Sequence, residues 1–249
     1  MDEAQYTAAA FHQAVLATNP QTAVFDCDGT LWEPDSGFGF LRWTLDQAPD
    51  LLTPARRAWI RERYRLYEAG VVDESTICGE MVEVYAGIAE TRLRDAARSF
   101  VAAHVQPFLF PELLPLVAAL RQRGTELWAV SSTNRWVIEA GICGEPFAIP
   151  SHRILAAEVA IEDGFATDRL LAVPTDDAKR EALLAAGLAH PDVVFGNSIH
   201  DAAMLAIARR AFPVNPSPGL RAIAAEQGWR VFEPLRTGWR PDTTHAQTL

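Results

Sequence analysis

The sequence predicts an α/β protein: a mostly parallel sheet with helices on both faces, interrupted once by a block of helices. Three observations carry this. Short apolar runs at 22–25, 126–130 and 192–195 are separated by helical segments, the alternation that builds a parallel sheet. Residues 41–105 change character, becoming rich in Arg, Glu, Leu and Ala with apolar positions at helical spacing. The chain has 249 residues, 49% apolar and 22% charged, an ordinary globular balance. At that length it buries roughly 70–75% of its unfolded surface and needs no staples.

Taken in order, residues 4–18 read as a helix with Tyr6, Phe11, Val15 and Leu16 on one side, ended by Asn19-Pro20. Thr22–Phe25 reads as a short buried strand running into Asp26-Cys27-Asp28-Gly29-Thr30. Side chains two apart on a strand share a side, so Asp26 and Asp28 face one site, and Gly29 lets the backbone turn away. Two such carboxylates repel unless they share a proton or a cation. A carboxylate is also a competent phosphoryl nucleophile. Residues 32–40, with Pro34, Gly37 and Gly39, read as an irregular turn and a short mobile element.

Helices are expected near 41–48, 54–69, 73–88 and 90–104, broken by Pro49, Gly70-Val71 and Gly87. Arg56, Arg57, Arg61, Arg63 and Arg65 crowd one of them, a charge run that reads as a solvated face. A helix over 112–123 is stopped by Gly124. The next apolar strand ends in Ser131-Ser132-Thr133-Asn134, polar residues that suit either a helix cap or an anion. Residues 147–174 suggest a hairpin about Asp163-Gly164. Lys179 begins a helix. The strand at 192–195 then leads into Gly196-Asn197-Ser198-Ile199-His200-Asp201. Residues 211–216, a helix over Pro218–Gln227 and residues 228–232 are expected to complete the sheet, with a loose polar tail after Glu233.

Net charge is −10, from 32 acidic and 22 basic residues, which argues against nucleic acid or an anionic membrane as partner. No apolar run approaches the ~20 residues of a membrane helix. The acidic start shows no signal peptide. Cys27, Cys78 and Cys143 have no CxxC spacing and suit a reducing, cytoplasmic setting, with Cys27 and Cys143 expected as buried small hydrophobes.

Asp26-x-Asp28-Gly29-Thr30 resembles the first motif of the haloacid dehalogenase (HAD) superfamily. Ser131, Lys179 and the Gly196–Asp201 stretch followed by Met204-Leu205 resemble its second, third and fourth motifs, in order across residues 23–205. The helical block has the size and position of the cap in the phosphoserine-phosphatase-like branch. The resemblance implies a three-layer Rossmann-like core over 1–36 and 107–249 with an all-helical cap at 37–106, and a hairpin flap near 32–40. It implies a Mg²⁺-dependent phosphatase acting on a small phosphorylated metabolite, phosphoserine or a similar ester, through an aspartyl-phosphate. Asp26 would be the nucleophile and Asp28 the general acid/base. Ser131 and Lys179 would hold phosphate oxygens, with Gly29, Thr30 and Ser132 beside them. Mg²⁺ would sit on Asp26, the Asp28 carbonyl, Asn197 and Asp201, directly or through water.

Two positions depart from the pattern. The first acidic position of the fourth motif is Asn197, so a weaker Mg²⁺ site is expected. His200 stands where that branch often carries Asn, and is either a substrate contact or a loop residue facing solvent. Asp35 lies at about the offset where phosphoserine phosphatases place an amine-binding Glu, and equally suits a turn. A capped phosphomutase and a phosphate-binding module with an impaired metal site stay open as alternatives. A dehalogenase is disfavoured, because Asp28 has no task when halide leaves.

Overall fold

The structure, a computed structural model, describes residues 5–238. Its centre is strand β2 (Thr22–Phe25), hydrogen-bonded in parallel to β3 (Glu126–Asn134) on one side and β6 (Val193–Gly196) on the other. β7 (Arg210–Pro213) extends the sheet in parallel beyond β6. Beyond β3, β4 (Ile154–Glu162) runs parallel and β5 (Phe165–Ala172) returns antiparallel through Asp163-Gly164, the expected hairpin. The order is β5-β4-β3-β2-β6-β7.

Alternation along β2 sets the layers. Ala23 and Phe25 face one apolar cluster, and Val24 faces the other. Val24 packs with Leu183 of α8 (Asp177–Ala185), Met204 and Leu205 of α9 (Ala202–Ala206) and Leu220 of α10 (Pro218–Gln227). The opposite face meets α1 (Ala8–Ala17), α6 (Leu113–Gln122) and α7 (Arg135–Ile142). Phe25, Phe195 and Phe212 are register partners on adjacent strands. Their rings stack at 4.4 and 5.5 Å. This row fixes the register one residue before Asp26 and Gly196.

Between β2 and β3 lie α2 (Ser36–Gln47), α3 (Pro54–Glu68), α4 (Glu74–Glu83) and α5 (Glu90–His104). Side chains of Thr53 and Asp73 cap α3 and α4. These helices are not a detached layer. Phe40, Ile77, Leu93 and Phe100 join the same apolar cluster as Phe25 and Trp136. Arg94 of α5 pairs with Glu90 at 2.8 Å and with Glu139 of α7 at 2.5 Å.

Several expectations change. Residues 32–40 hold no hairpin: Asp35 caps α2, accepting from the Phe38 amide at 2.9 Å, so a helix starts at Ser36. The helix expected over 73–88 ends at Glu83. The first helix begins at Ala8, because Thr7 caps it and Gln5–Tyr6 form strand β1. β1 pairs with β8 (Val231–Phe232) in a separate two-stranded sheet, so 228–232 do not complete the main one. β3 runs through Asn134, so Ser131 and Ser132 lie on a strand extension rather than at a helix start. Cys143 is exposed, whereas Cys27 is buried. The segment after Glu233 is pinned: Leu235 N–H donates to Glu112 at 2.9 Å, and Arg236 and Thr237 bond Glu33. The rest of the expected loose tail, 239–249, lies outside the described residues, as does the acidic start. Among the described residues no helix is long and apolar enough to cross a membrane.

Phe11 of α1 stacks on Phe232 at 4.2 Å and meets Phe195 and Phe212 edge-on, far from the carboxylate pair in sequence. Phe11→Ala is expected to lower stability by about 3–5 kcal/mol by opening a cavity there. Urea unfolding checks this: the midpoint should fall with an unchanged slope.

Candidate active site

Asp26 leaves the end of β2 with its N–H bonded to Phe195 O at 2.9 Å. Its two carboxylate oxygens accept from Thr30 Oγ1 at 2.9 Å and Lys179 Nζ at 2.7 Å. Lys179 reaches back from the first turn of α8 and also donates to Asp201 at 2.5 Å. All three groups are buried, Lys179 only 2% exposed. The other Asp201 oxygen accepts the N–H groups of Asn197 and Ser198, both at 2.8 Å. One lysine thus ties Asp26 to the loop after β6. Burial, then Asp201, pushes the Asp26 carboxyl up to about 7 against the pull of Lys179. Burial works against the Lys179 charge, yet Asp201 and Asp26 outweigh it and hold the ammonium firmly protonated.

Asp28 is gripped from three sides. Trp32 Nε1 and Ser36 Oγ both donate at 2.5 Å, and Thr133 Oγ1 donates at 2.7 Å. The α2 terminus comes this close to β3 because Gly37 has no Cβ, which would lie 2.6 Å from Thr133 Oγ1. Gly29, at φ +70°, is equally constrained: a Cβ there would sit 1.9 Å from the Asn197 amide nitrogen.

A cavity of about 400 Å³ opens over these groups. Asp26, Asp28, Gly29 and Asp35 line it, together with Ser131, Ser132, Lys179 and Asn197. Thr30 and Asp201 do not; they act beneath the surface, on Asp26 and on the 197–198 amides. Ser131 Oγ accepts from the Thr133 amide at 3.1 Å. His200 also reaches the lining, its Nδ1 2.7 Å from Asp176 Oδ1. None of the arginines crowding α3 lines the cavity; Arg56 bonds the carbonyls of Val84 and Ala86, and Arg63 bonds Glu80.

Sequence reasoning missed Trp32, Ser36 and Thr133 as the holders of Asp28. It also missed the wall made by Tyr67 of α3 and Glu74, Cys78 and Met81 of α4. Those three α4 positions fall at i, i+4 and i+7, so the stripe was visible, but what it faced was not.

Among the described residues no three His, Cys, Asp or Glu side chains converge as a metal-binding group. A cation here would therefore draw on mixed oxygen donors: the Asp26 carboxylate, the Asp28 carbonyl and the Asn197 amide. That set fits a hard cation. The charge balance fits too, since Asp26 and Asp201 share a single lysine and Asp28 stands beside them with only neutral donors.

Carboxylates at the carboxyl end of a central parallel strand, backed by a buried lysine, stand where proteins of the open-sheet α/β class place their ligands. Over residues 23–206 the chain matches the haloacid dehalogenase-like hydrolase family, and it belongs to that family. It is 25% identical over 221 residues to a histidinol-phosphatase of Neisseria meningitidis serogroup C (strain 8013), covering 84% of this chain and 97% of that one. A Bordetella pertussis Tohama I protein of unknown function shares the fold at a TM-score of 0.70 and 24% identity, covering 85% of this chain and 97% of that one. A phosphoserine phosphohydrolase-like protein from Francisella tularensis subsp. tularensis SCHU S4 shares it at 0.56 and 17% identity, covering 85% and 94%.

Lys179→Met leaves two buried carboxylates facing each other and is expected to cost about 3–5 kcal/mol near neutral pH. Their folded-state pKa values then rise above the unfolded ones, so the variant regains stability as pH falls. Denaturant melts from about pH 8 to about pH 5 should show its deficit shrinking.

Proposed function

We propose that the chain hydrolyses small-molecule phosphomonoesters through an aspartyl-phosphate on Asp26. The observation that carries this is the pairing of Asp26, bound to Lys179, with a separately held Asp28 on the same cavity wall. Asp26 attacks phosphorus. The ester oxygen departs with a proton from Asp28, which then takes a proton from the water that releases phosphate. Ser131 and Lys179 meet the phosphate oxygens, and Gly29 and Ser132 border them. The Asp26 carboxylate, Asp28 carbonyl and Asn197 amide would hold Mg²⁺, with Asp201 fixing the Asn197 backbone from behind. When bound, the ion supplies positive charge between phosphate and carboxylates. Residues 1–36 and 107–249 act as the catalytic core and 37–106 as a helical cap excluding bulk water. The free cysteines suit a reducing, cytoplasmic setting.

Asp26→Asn should lower turnover by several orders of magnitude while the fold survives, as release of phosphate from p-nitrophenyl phosphate would show. Asp28→Asn should spare aryl esters relative to alkyl esters, since an aryl oxide needs little protonation; equal losses would argue against its acid role. Asn197→Asp should tighten Mg²⁺, because a full charge replaces an amide dipole. Calorimetric titration of Mg²⁺ against both forms checks this without turnover, and unchanged affinity would remove Asn197 as a ligand.

A further inference from the structure

The catalytic cavity has two chemically different ends. One is the Asp26–Lys179–Ser131 wall. The other is built by Asp35 at the start of α2, Tyr67 of α3 and the α4 stripe of Glu74, Cys78 and Met81. Glu74 Oε2 accepts from the Tyr67 hydroxyl at 2.5 Å, and Cys78 Sγ lies 3.5 Å from Oε1, so its carboxylate is fixed in place.

No basic side chain shares this second end. Among the lining residues the only lysine is Lys179, locked between Asp26 and Asp201, and no arginine is present. His200 lies on the side of Asn197 and Ser198 and is held by Asp176. Glu33 also reaches the lining, but Arg236 and Thr237 satisfy it. Asp35 and Glu74 therefore have no resident cation. Desolvation in the cavity wall, and then the like charges of Asp28 and Glu74, raise the Asp35 carboxyl.

We propose that this wall selects a phosphomonoester whose alcohol half carries a cationic amine and no carboxylate, with Glu74 and Asp35 as the residues that read the amine. The inference rests on the phosphatase reading and extends it. An ammonium supplies the missing charge between two carboxylates. A substrate carboxylate would meet like charge with no arginine or lysine to receive it. The thioether of Met81 and the ring of Tyr67 suit the carbon skeleton between amine and phosphate. An independent observation points the same way. The relative that aligns along nearly its whole length is named a histidinol-phosphatase, and histidinol phosphate is an amine with no carboxylate. Phosphoserine carries both groups, so it is the ester that separates this proposal from the phosphoserine expectation.

Phosphate release from four esters tests this: histidinol phosphate, O-phosphoethanolamine, O-phosphoserine and glycerol 3-phosphate. In the unaltered chain the two carboxylate-free amines should exceed the other two in kcat/KM by about 10-fold or more. Glu74→Gln and Asp35→Asn should each shrink the amine-over-glycerol ratio, mostly through KM. Being internal, the ratio does not depend on how much variant protein is folded. Phosphoserine turned over as well as histidinol phosphate, or ratios unmoved in both variants, would overturn the selectivity and leave the phosphatase reading intact. No release from these esters or from p-nitrophenyl phosphate would overturn both.

Discussion

The ammonium of Lys179 is the interaction on which the rest of the site depends. It lies on α8, yet its partners come from the loops after β2 and β6, so it joins three stretches of chain that meet only in the folded state. Without it, Asp26 and Asp201 would be like charges buried together. With it, Asp201 can spend its second oxygen on the amides of Asn197 and Ser198, and that loop is drawn against Gly29. The aromatic row Phe25–Phe195–Phe212 performs the matching task one residue earlier by fixing strand register. Apolar stacking sets the coarse geometry, and one buried cation sets the fine geometry.

Much of this was legible in the sequence. The central strands, the hairpin, the block of helices and the Asp26–Asp28 pair carry local signals: apolar runs, a turn dipeptide, carboxylates two apart. Lys179 and Asn197 carry none, and stood out only through the resemblance to the family's motif order. What stayed hidden has a common cause. Strands β1 and β8 are two residues long and carry no periodicity, so only their partner defines them. The α2 start was masked by Pro34, Gly37 and Gly39, which read as a turn, while the cap at Asp35 and the close approach to Thr133 decide for a helix. The grip of Trp32, Ser36 and Thr133 on Asp28 is a long-range fact. So is the meeting of the α4 stripe with the cavity.

Charge is distributed unevenly around the cavity, and the two ends solve that differently. At the Asp26 end the excess is met from within the chain by Lys179 and by backbone amides. At the Asp35–Glu74 end no basic side chain meets it. Net acidity of the whole chain says nothing of this division, which appears only when lining residues are sorted by the element that bears them.

The continuity of the apolar cluster through α2–α5 has an evolutionary consequence. Helical inserts in a shared scaffold are natural units of exchange when they touch the scaffold only through a hinge. Here Phe40, Ile77, Leu93 and Phe100 are packed into the same interior as Phe25 and Trp136, and Arg94 is tied to Glu139. The cavity wall that α3 and α4 supply is thus not a detachable module. A transplant of these helices alone would carry half an interior with it, so the cavity wall is open to point changes on α4 but not to a trade of the whole insert.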